Sequence, residues 1–137
     1  MQLNTKDIML DTNICIYIIK NKPISVIKKF QEYDVGDISL STITVSELYY
    51  GAYKSAYVEK NLLALEHFLQ PFNIVEYDLK ASCEYGNIRA SLEKEGKVIG
   101  GLDMQIAAHA KSLDMTLVTN NTKEFIRVEN LILDNWV

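Results

Sequence analysis

Apolar and polar positions along the chain alternate between two spacings, one suited to strands and one to helices. Asp7 to Leu10 (DIML) is a short apolar run, and Asp11-Thr12-Asn13 behind it supplies helix-capping residues before the apolar stretch Ile14 to Ile19. This predicts a strand, a turn and a helix. Lys20 to Pro23 interrupts the pattern, and Ile24, Ile27, Lys28 and Phe30 resume helical spacing to about Glu32. Asp37 to Ser41 (DISLS) has a period of two and predicts a second strand, followed by a helix whose start is marked by Thr44, with Glu47 in its first turn. From Ser55 to Leu69 the spacing of Val58, Leu62, Leu65 and Leu69 predicts another helix before Pro71, and Asn73 to Tyr77 a third strand. A long helix from about Leu79 to Glu95 ends at Gly96, and a further helix runs from about Leu102 to Leu113. Thr116 to Thr119 is the fourth strand, and a short helix near Phe125 and the apolar run Leu131 to Leu133 complete the chain.

Strands that alternate with helices predict an α/β fold of three layers, α/β/α, with a central and mainly parallel sheet. At 137 residues and 48% hydrophobic content, the chain suits a single domain spanning 1–137. No apolar run reaches the ~20 residues of a membrane span, and Met1 to Asp7 lacks the charged and then apolar pattern of a leader, so the expected location is the cytoplasm, with no membrane partner. Cys15 and Cys83 are far apart and outside any CxxC or Cys/His spacing, and are expected to be reduced core residues. A net charge of −4 argues against coating nucleic acid through bulk positive charge, so any such contact must be local or helped by metal ions.

Three acids fall where parallel α/β sheets place their sites, at the loops that leave the C-terminal strand ends. Asp11 follows the first strand, Glu47 opens the helix after the second, and Asp103 opens the helix leading to the fourth. Each also has a structural alternative. Asp11 could be an N-cap, Thr44-Val45-Ser46-Glu47 is a complete capping box, and Asp103 could be an ordinary first-turn acid. Small neighbours favour a ligand. On a helical wheel Asp103 shares its face with Ala107 and Ala110, apart from a core stripe of Leu102, Ile106 and Leu113, and Glu47 has Gly51 one turn later. Converging carboxylates without a matching cation repel one another unless Mg²⁺ or Mn²⁺ neutralises them, and such an ion suits phosphodiester hydrolysis by water.

Met9-Leu10-Asp11-Thr12-Asn13, Ser46-Glu47-Leu48, Ile99-Gly100-Gly101-Leu102-Asp103, Ile106-Ala107-Ala108 and the segment Leu117 to Phe125 together resemble the PIN-domain nucleases. They are most similar to the VapC toxins, and among those to the ones that cleave initiator tRNA in its anticodon stem-loop. The resemblance runs from about Ile8 to Trp136. It implies a PIN-like fold and a Mg²⁺- or Mn²⁺-dependent endoribonuclease that arrests translation. It further implies a homodimer, a VapB-type antitoxin that holds the enzyme inactive, and operator DNA bound only through that antitoxin. Asp11, Glu47 and Asp103 become the catalytic and metal-holding residues, with Thr12, Thr119, Asn120 and Asn121 in support. Many family members have an aspartate where this chain has Asn121. That departure implies a site of three carboxylates and a single protein-bound ion.

His109 lies on the stripe of Leu102, Ile106 and Leu113 and is expected to be a satisfied core histidine. Tyr49 and Tyr53 form a second apolar stripe, either core or dimer packing or an antitoxin-docking face. Lys97, Lys123 and Arg127 flank the acidic motifs and are candidate phosphate contacts, with solvated surface charge as the alternative. Three rival readings stand beside the toxin nuclease: a non-catalytic PIN-like scaffold for protein or RNA, a housekeeping RNase without an antitoxin, and a receiver-type signalling domain. The last needs an adjacent acidic pair and a suitably placed lysine that the sequence does not offer.

Overall fold

The computed structural model describes residues 7–137. Met1–Lys6, on which most of the leader argument rests, lie outside the described residues. The chain runs β1 (Ile8–Leu10), α1 (Thr12–Lys20), α2 (Ile24–Phe30), a 3-10 turn at Val35–Asp37, β2 (Ile38–Ser41), α3 (Thr42–Tyr53), α4 (Val58–Leu69) and β3 (Asn73–Val75). It continues through α5 (Leu79–Glu95), α6 (Gly101–Ser112), β4 (Thr116–Val118), α7 (Thr122–Phe125) and β5 (Leu133–Asp134). The strand order is β3-β2-β1-β4-β5 and every pairing is parallel, as the alternation of elements predicts. Among the described residues no helix is long and apolar enough to cross a membrane.

Both faces of the sheet are covered, which sets the composition of its strands. Ile8, Leu10, Ile38, Leu40 and Val118 point into one core with Leu48, Leu65 and Trp136. Met9 and Leu117 point into the other with Ile88, Ile106 and Phe125. Each large apolar side chain so buried contributes about 1.5–3 kcal/mol. The alternation that marks β2 therefore does not separate core from solvent. Ser39 and Ser41 are buried too, and their hydroxyls are satisfied by Asn73 Nδ2 at 3.0 Å and by His109 Nδ1 at 2.8 Å.

Two local expectations are corrected. Helix α3 begins two residues before Thr44 because Ser41 is its cap, its hydroxyl accepting from the Ile43 N–H at 3.0 Å. Thr44 Oγ1 is buried without a hydrogen-bond partner, so no capping box forms around it. On α6 the wheel drawn from sequence is turned. Leu102 is 48% exposed, whereas Ala107 and Ala110 are fully buried. The helix is wedged among α3, α5 and β4 from Met104 onward, so its alanines let neighbours approach and its first turn alone projects.

Helix α7 has only four residues and could not persist alone. Phe125, fully buried in the second core, holds it to the body. At the C-terminus Trp136 stacks on Tyr33 with centroids 5.5 Å apart and donates to Asp134 Oδ2 at 3.2 Å, fixing the strand beside β4.

Candidate active site

The chain builds outward from β1 to β3 and then returns to the other side of β1 as β4, so the loops after β1 and β4 diverge between those two strands. Such a switch point leaves a crevice at the C-terminal strand ends. Asp11 stands at its centre, its backbone N–H donating to the Val118 carbonyl at 3.0 Å.

Asp11 is 4% exposed and caps α1, its Oδ1 accepting from the Ile14 N–H at 3.0 Å. The structural alternative weighed from sequence is thus real. A cap contributes about 1 kcal/mol, and a serine or an asparagine would supply it without a buried charge. Burial raises the Asp11 pKa above its ordinary value, Glu47 adds to the rise, and the Thr119 hydroxyl and the Ile14 and Asn13 N–H groups oppose it. The net upward shift means that the fold pays for this carboxylate, which a cap alone does not explain. The same burial and the Asp11 charge push the Cys15 thiol far up, leaving it inert. Cys83, by contrast, is exposed on α5 rather than in the core.

Glu47 lies in the second turn of α3, where it cannot cap that helix. Its Oε1 instead accepts from the Thr12 hydroxyl, which ties the start of α1 to α3. Gly51, one turn on, has open space where a Cβ would be. That space is a groove of about 430 Å³ between α1, α3 and α4, lined by Glu47, Gly51, Ile16, Ile19, Leu48 and Leu65.

Asp103, in the first turn of α6, is pushed up to about 6, by burial first and then by the charges of Glu124, Asp11 and Glu47. Asp103 therefore feels carboxylates from three other segments at this crevice, and Asp11 feels Glu47. Neither ion pair among the described residues involves them. Glu124 is the member that sequence reasoning missed. Asn121 bonds one of these acids and the loop beside them. Its Nδ2 donates to Glu124 Oε1 at 3.2 Å and its backbone N–H to Thr119 Oγ1 at 2.9 Å. A carboxylate thus stands one helical turn after 121, close enough for its charge to act on Asp103. The signal was in the quoted segment: an acid at i+3 in a run expected to carry one. Glu124→Gln should lower the Asp103 pKa from about 6, as read by a carbon-detected NMR titration of its carboxyl. An unchanged titration would separate the two groups.

The remaining candidates divide. Thr12 and Thr119 touch site acids, and Asn120 donates from Nδ2 to the Tyr17 hydroxyl at 2.9 Å. Arg127 donates to the Val98 carbonyl at 3.3 Å and lines a polar cleft with Asn87, Lys111 and Glu129, so it braces the loop before α6. Lys97 and Lys123 are exposed, Lys123 beside Glu124 on α7. The tyrosine stripe of α3 is also split, Tyr49 packing on the core and Tyr53 standing 63% exposed.

Whether a divalent cation suits these residues is decided by their chemistry. All the acids offer hard oxygens, they repel one another, and burial raises the cost of leaving Asp11 and Asp103 charged alone. Among the described residues no three His, Cys, Asp or Glu side chains close into a ready-made cage. Mg²⁺ keeps several waters and takes only one or two protein carboxylates, so an open set of acids suits it better than a closed one.

The PIN domain family matches residues 8–131. Ribonuclease VapC2 of Haemophilus influenzae is 49% identical over 129 residues, which cover 94% of this chain and 97% of that one. The tRNA(fMet)-specific endonuclease VapC of Shigella flexneri is 45% identical over 128 residues, covering 93% and 96%. Among solved structures, DNA-bound VapBC from Salmonella typhimurium superposes with a TM-score of 0.90 at 39% identity, covering 97% of this chain and 100% of the matched one. Sequence and fold agree: the chain belongs to the PIN-domain family, in its VapC ribonuclease branch.

Proposed function

We propose that this protein is a divalent-metal-dependent endoribonuclease, the toxin of a toxin-antitoxin pair, and that it cuts tRNA, with initiator tRNA as the expected target. The observation that carries the metal requirement is the convergence of Asp11, Glu47, Asp103 and Glu124, with Asp103 lifted to about 6 by burial and by the other three. The target rests on the name of the Shigella flexneri relative, a tRNA(fMet)-specific endonuclease. Translation arrest follows from loss of that RNA, and the cytoplasm is where it would be met.

Asp11, Glu47, Asp103 and Glu124 would hold Mg²⁺ or Mn²⁺. The bound ion would polarise the phosphodiester and neutralise charge that develops as it is displaced. Water adds to phosphorus and gives up a proton while the bond to the leaving ribose oxygen breaks, and that oxygen takes up a proton to leave as a hydroxyl. The protein's own share is to fix the acids: Thr12 orients Glu47, Thr119 orients Asp11, and Asn121 orients Glu124. Lys97 and Lys123 supply charge for RNA near the site, whereas Arg127 acts through the loop it braces.

The partner is a VapB-type antitoxin, as in the VapBC complex that this chain superposes on. We place its docking segment in the groove between α1, α3 and α4, because that groove is mainly apolar and opens at Glu47, where an occupant would shield the acids. Operator DNA would be bound through the antitoxin, which suits a chain of net charge −4, and a homodimer is the expected assembly.

The test is cleavage of labelled total tRNA with Mg²⁺, with Mn²⁺ and with EDTA, comparing wild type with Asp103→Ala and Glu47→Gln. Discrete metal-dependent cuts that vanish in both folded variants are expected. Cleavage that survives EDTA would remove the metal requirement. Intact tRNA under every condition would favour a different RNA or a binding scaffold.

A further inference from the structure

His109 is 1% exposed and has no part in the chemistry above. It sits in the last turn of α6, the helix that carries Asp103 in its first turn, and its Nδ1 shares a 2.8 Å hydrogen bond with the Ser41 hydroxyl. Ser41 is the N-cap of α3, the helix that carries Glu47, and the same hydroxyl accepts the Ile43 N–H. One buried bond therefore joins the two acid-bearing helices. The other ring nitrogen has no hydrogen-bond partner, and the ring edge meets Tyr77 at a centroid distance of 5.5 Å and 87°.

We propose that His109 is a positioning residue that fixes the start of α3 against α6 and so sets the spacing of Glu47 and Asp103. The inference rests on the nuclease reading for its consequence but not for its geometry. Apolar contacts alone would not set this spacing. Ile43 packs on the second core beside α6, yet such contacts are non-directional and tolerate sliding of one helix along another. A hydrogen bond has a preferred length and angle and does not. The need for it is electrostatic. Glu47 adds to the charges that hold the Asp103 pKa up, so the two helices bring like charges toward each other and their spacing sets how strongly these act. Burial holds the His109 pKa below its ordinary value, against the Asp78 charge and the Glu76 carbonyl, so the ring is neutral at pH 7 and adds no charge to the cluster.

The variants that separate positioning from packing are His109→Asn, His109→Gln and His109→Leu. Asparagine offers an amide at the Nδ1 position and can serve Ser41 as donor or acceptor. Glutamine places its amide near the Nε2 position, and leucine offers none. Metal-free crystal structures of the variants, Mn²⁺ titration calorimetry without RNA, and cleavage rates should be measured together. In the Gln and Leu proteins the separation of Glu47 and Asp103 should change and Mn²⁺ affinity should fall ~10-fold or more, in line with losses behind a metal ligand. A displacement of ~1 Å would lower cleavage by up to ~100-fold. The Asn protein should match wild type in all three. If Gln and Leu keep the wild-type separation and differ only in melting temperature, His109 is a packing residue and the proposal fails. The glutamine protein keeps a polar side chain, so the comparison survives should the leucine protein not fold. Wild-type protein that binds no Mn²⁺ would overturn the metal-dependent reading, while the measured separations would still decide the role of His109.

Discussion

Asp11→Asn should abolish RNA cleavage and raise the melting temperature of the metal-free protein. The two effects have opposite signs because the residue has two roles. As the cap of α1, Asp11 uses Oδ1 to accept from the Ile14 N–H, and the asparagine amide oxygen can do the same, since the two side chains cap equally well. Losing the negative charge forfeits its attraction to the helix N-terminus, about 0.3–1 kcal/mol. Against that stands the cost of a carboxylate in a site 4% exposed and next to another acid. The raised pKa gives the balance directly, because it already contains the favourable bonds from Thr119, Ile14 and Asn13 and still favours the neutral form. Removing the charge should therefore stabilise the fold at pH 7. Activity goes the other way. Losing partners behind a metal ligand typically costs ~10–100-fold, so losing this carboxylate should cost more than ~100-fold. Calorimetry and tRNA cleavage on the same preparation check both. A variant that melts lower and is inactive would mean that Asp11 is chiefly a cap.

Asp103 should make stability depend on pH in a direction unusual for a carboxylate, and a divalent ion should reverse it. Its folded pKa is about 6 against an ordinary value of 3.8. Below the ordinary value it is protonated in both folded and unfolded chains and contributes no difference. As pH rises through about 6, the folded protein must release a proton it holds more tightly than the unfolded chain does, so stability present at low pH is lost. The melting temperature of Asp103→Asn relative to wild type, both metal-free, should rise from pH 4 to pH 7.5. With the ion the order changes. At about a hundred times its Kd a ligand stabilises by about 2.7 kcal/mol, which is several degrees for a chain of this size. At pH 5 the proton competes for Asp103 and much of that gain should vanish. A gain from Mn²⁺ that is equal at pH 5 and pH 7.5, or equal in Asp103→Asn, would place the ion elsewhere.

Much of the fold was legible because its cues are local. The apolar runs of β1 and β4, the caps Asp11 and Gly96, and the apolar spacing of α4 act within a few residues; β1, β4 and α5 formed within a residue of their predicted bounds, and α4 began three residues after Ser55. Where a cue was local but ambiguous, the tertiary structure overruled it. Thr44 to Glu47 satisfies the capping-box pattern, yet Ser41 caps α3, because Ser41 lies at the end of β2 where the chain must turn. The wheel of α6 misplaced Leu102 and the alanines, since a helix enclosed by α3, α5 and β4 has no single buried stripe.

The candidate site shows the same division. By itself the sequence determined that Asp11 leaves a strand end and Asp103 opens a helix, that the chain alternates strands with helices, and that its motifs resemble those of one nuclease family. Those properties follow from residue type and short-range spacing. Only the tertiary structure decided that Glu124 joins the acids, that Asn121 serves Glu124, that Asn120 serves Tyr17, and that His109 reaches Ser41. Each is a contact between side chains whose direction depends on how packed layers orient short elements such as the four residues of α7, held by the buried ring of Phe125. Spacing along the chain carries no record of that orientation, because it is fixed by burial and directional hydrogen bonds across the sheet.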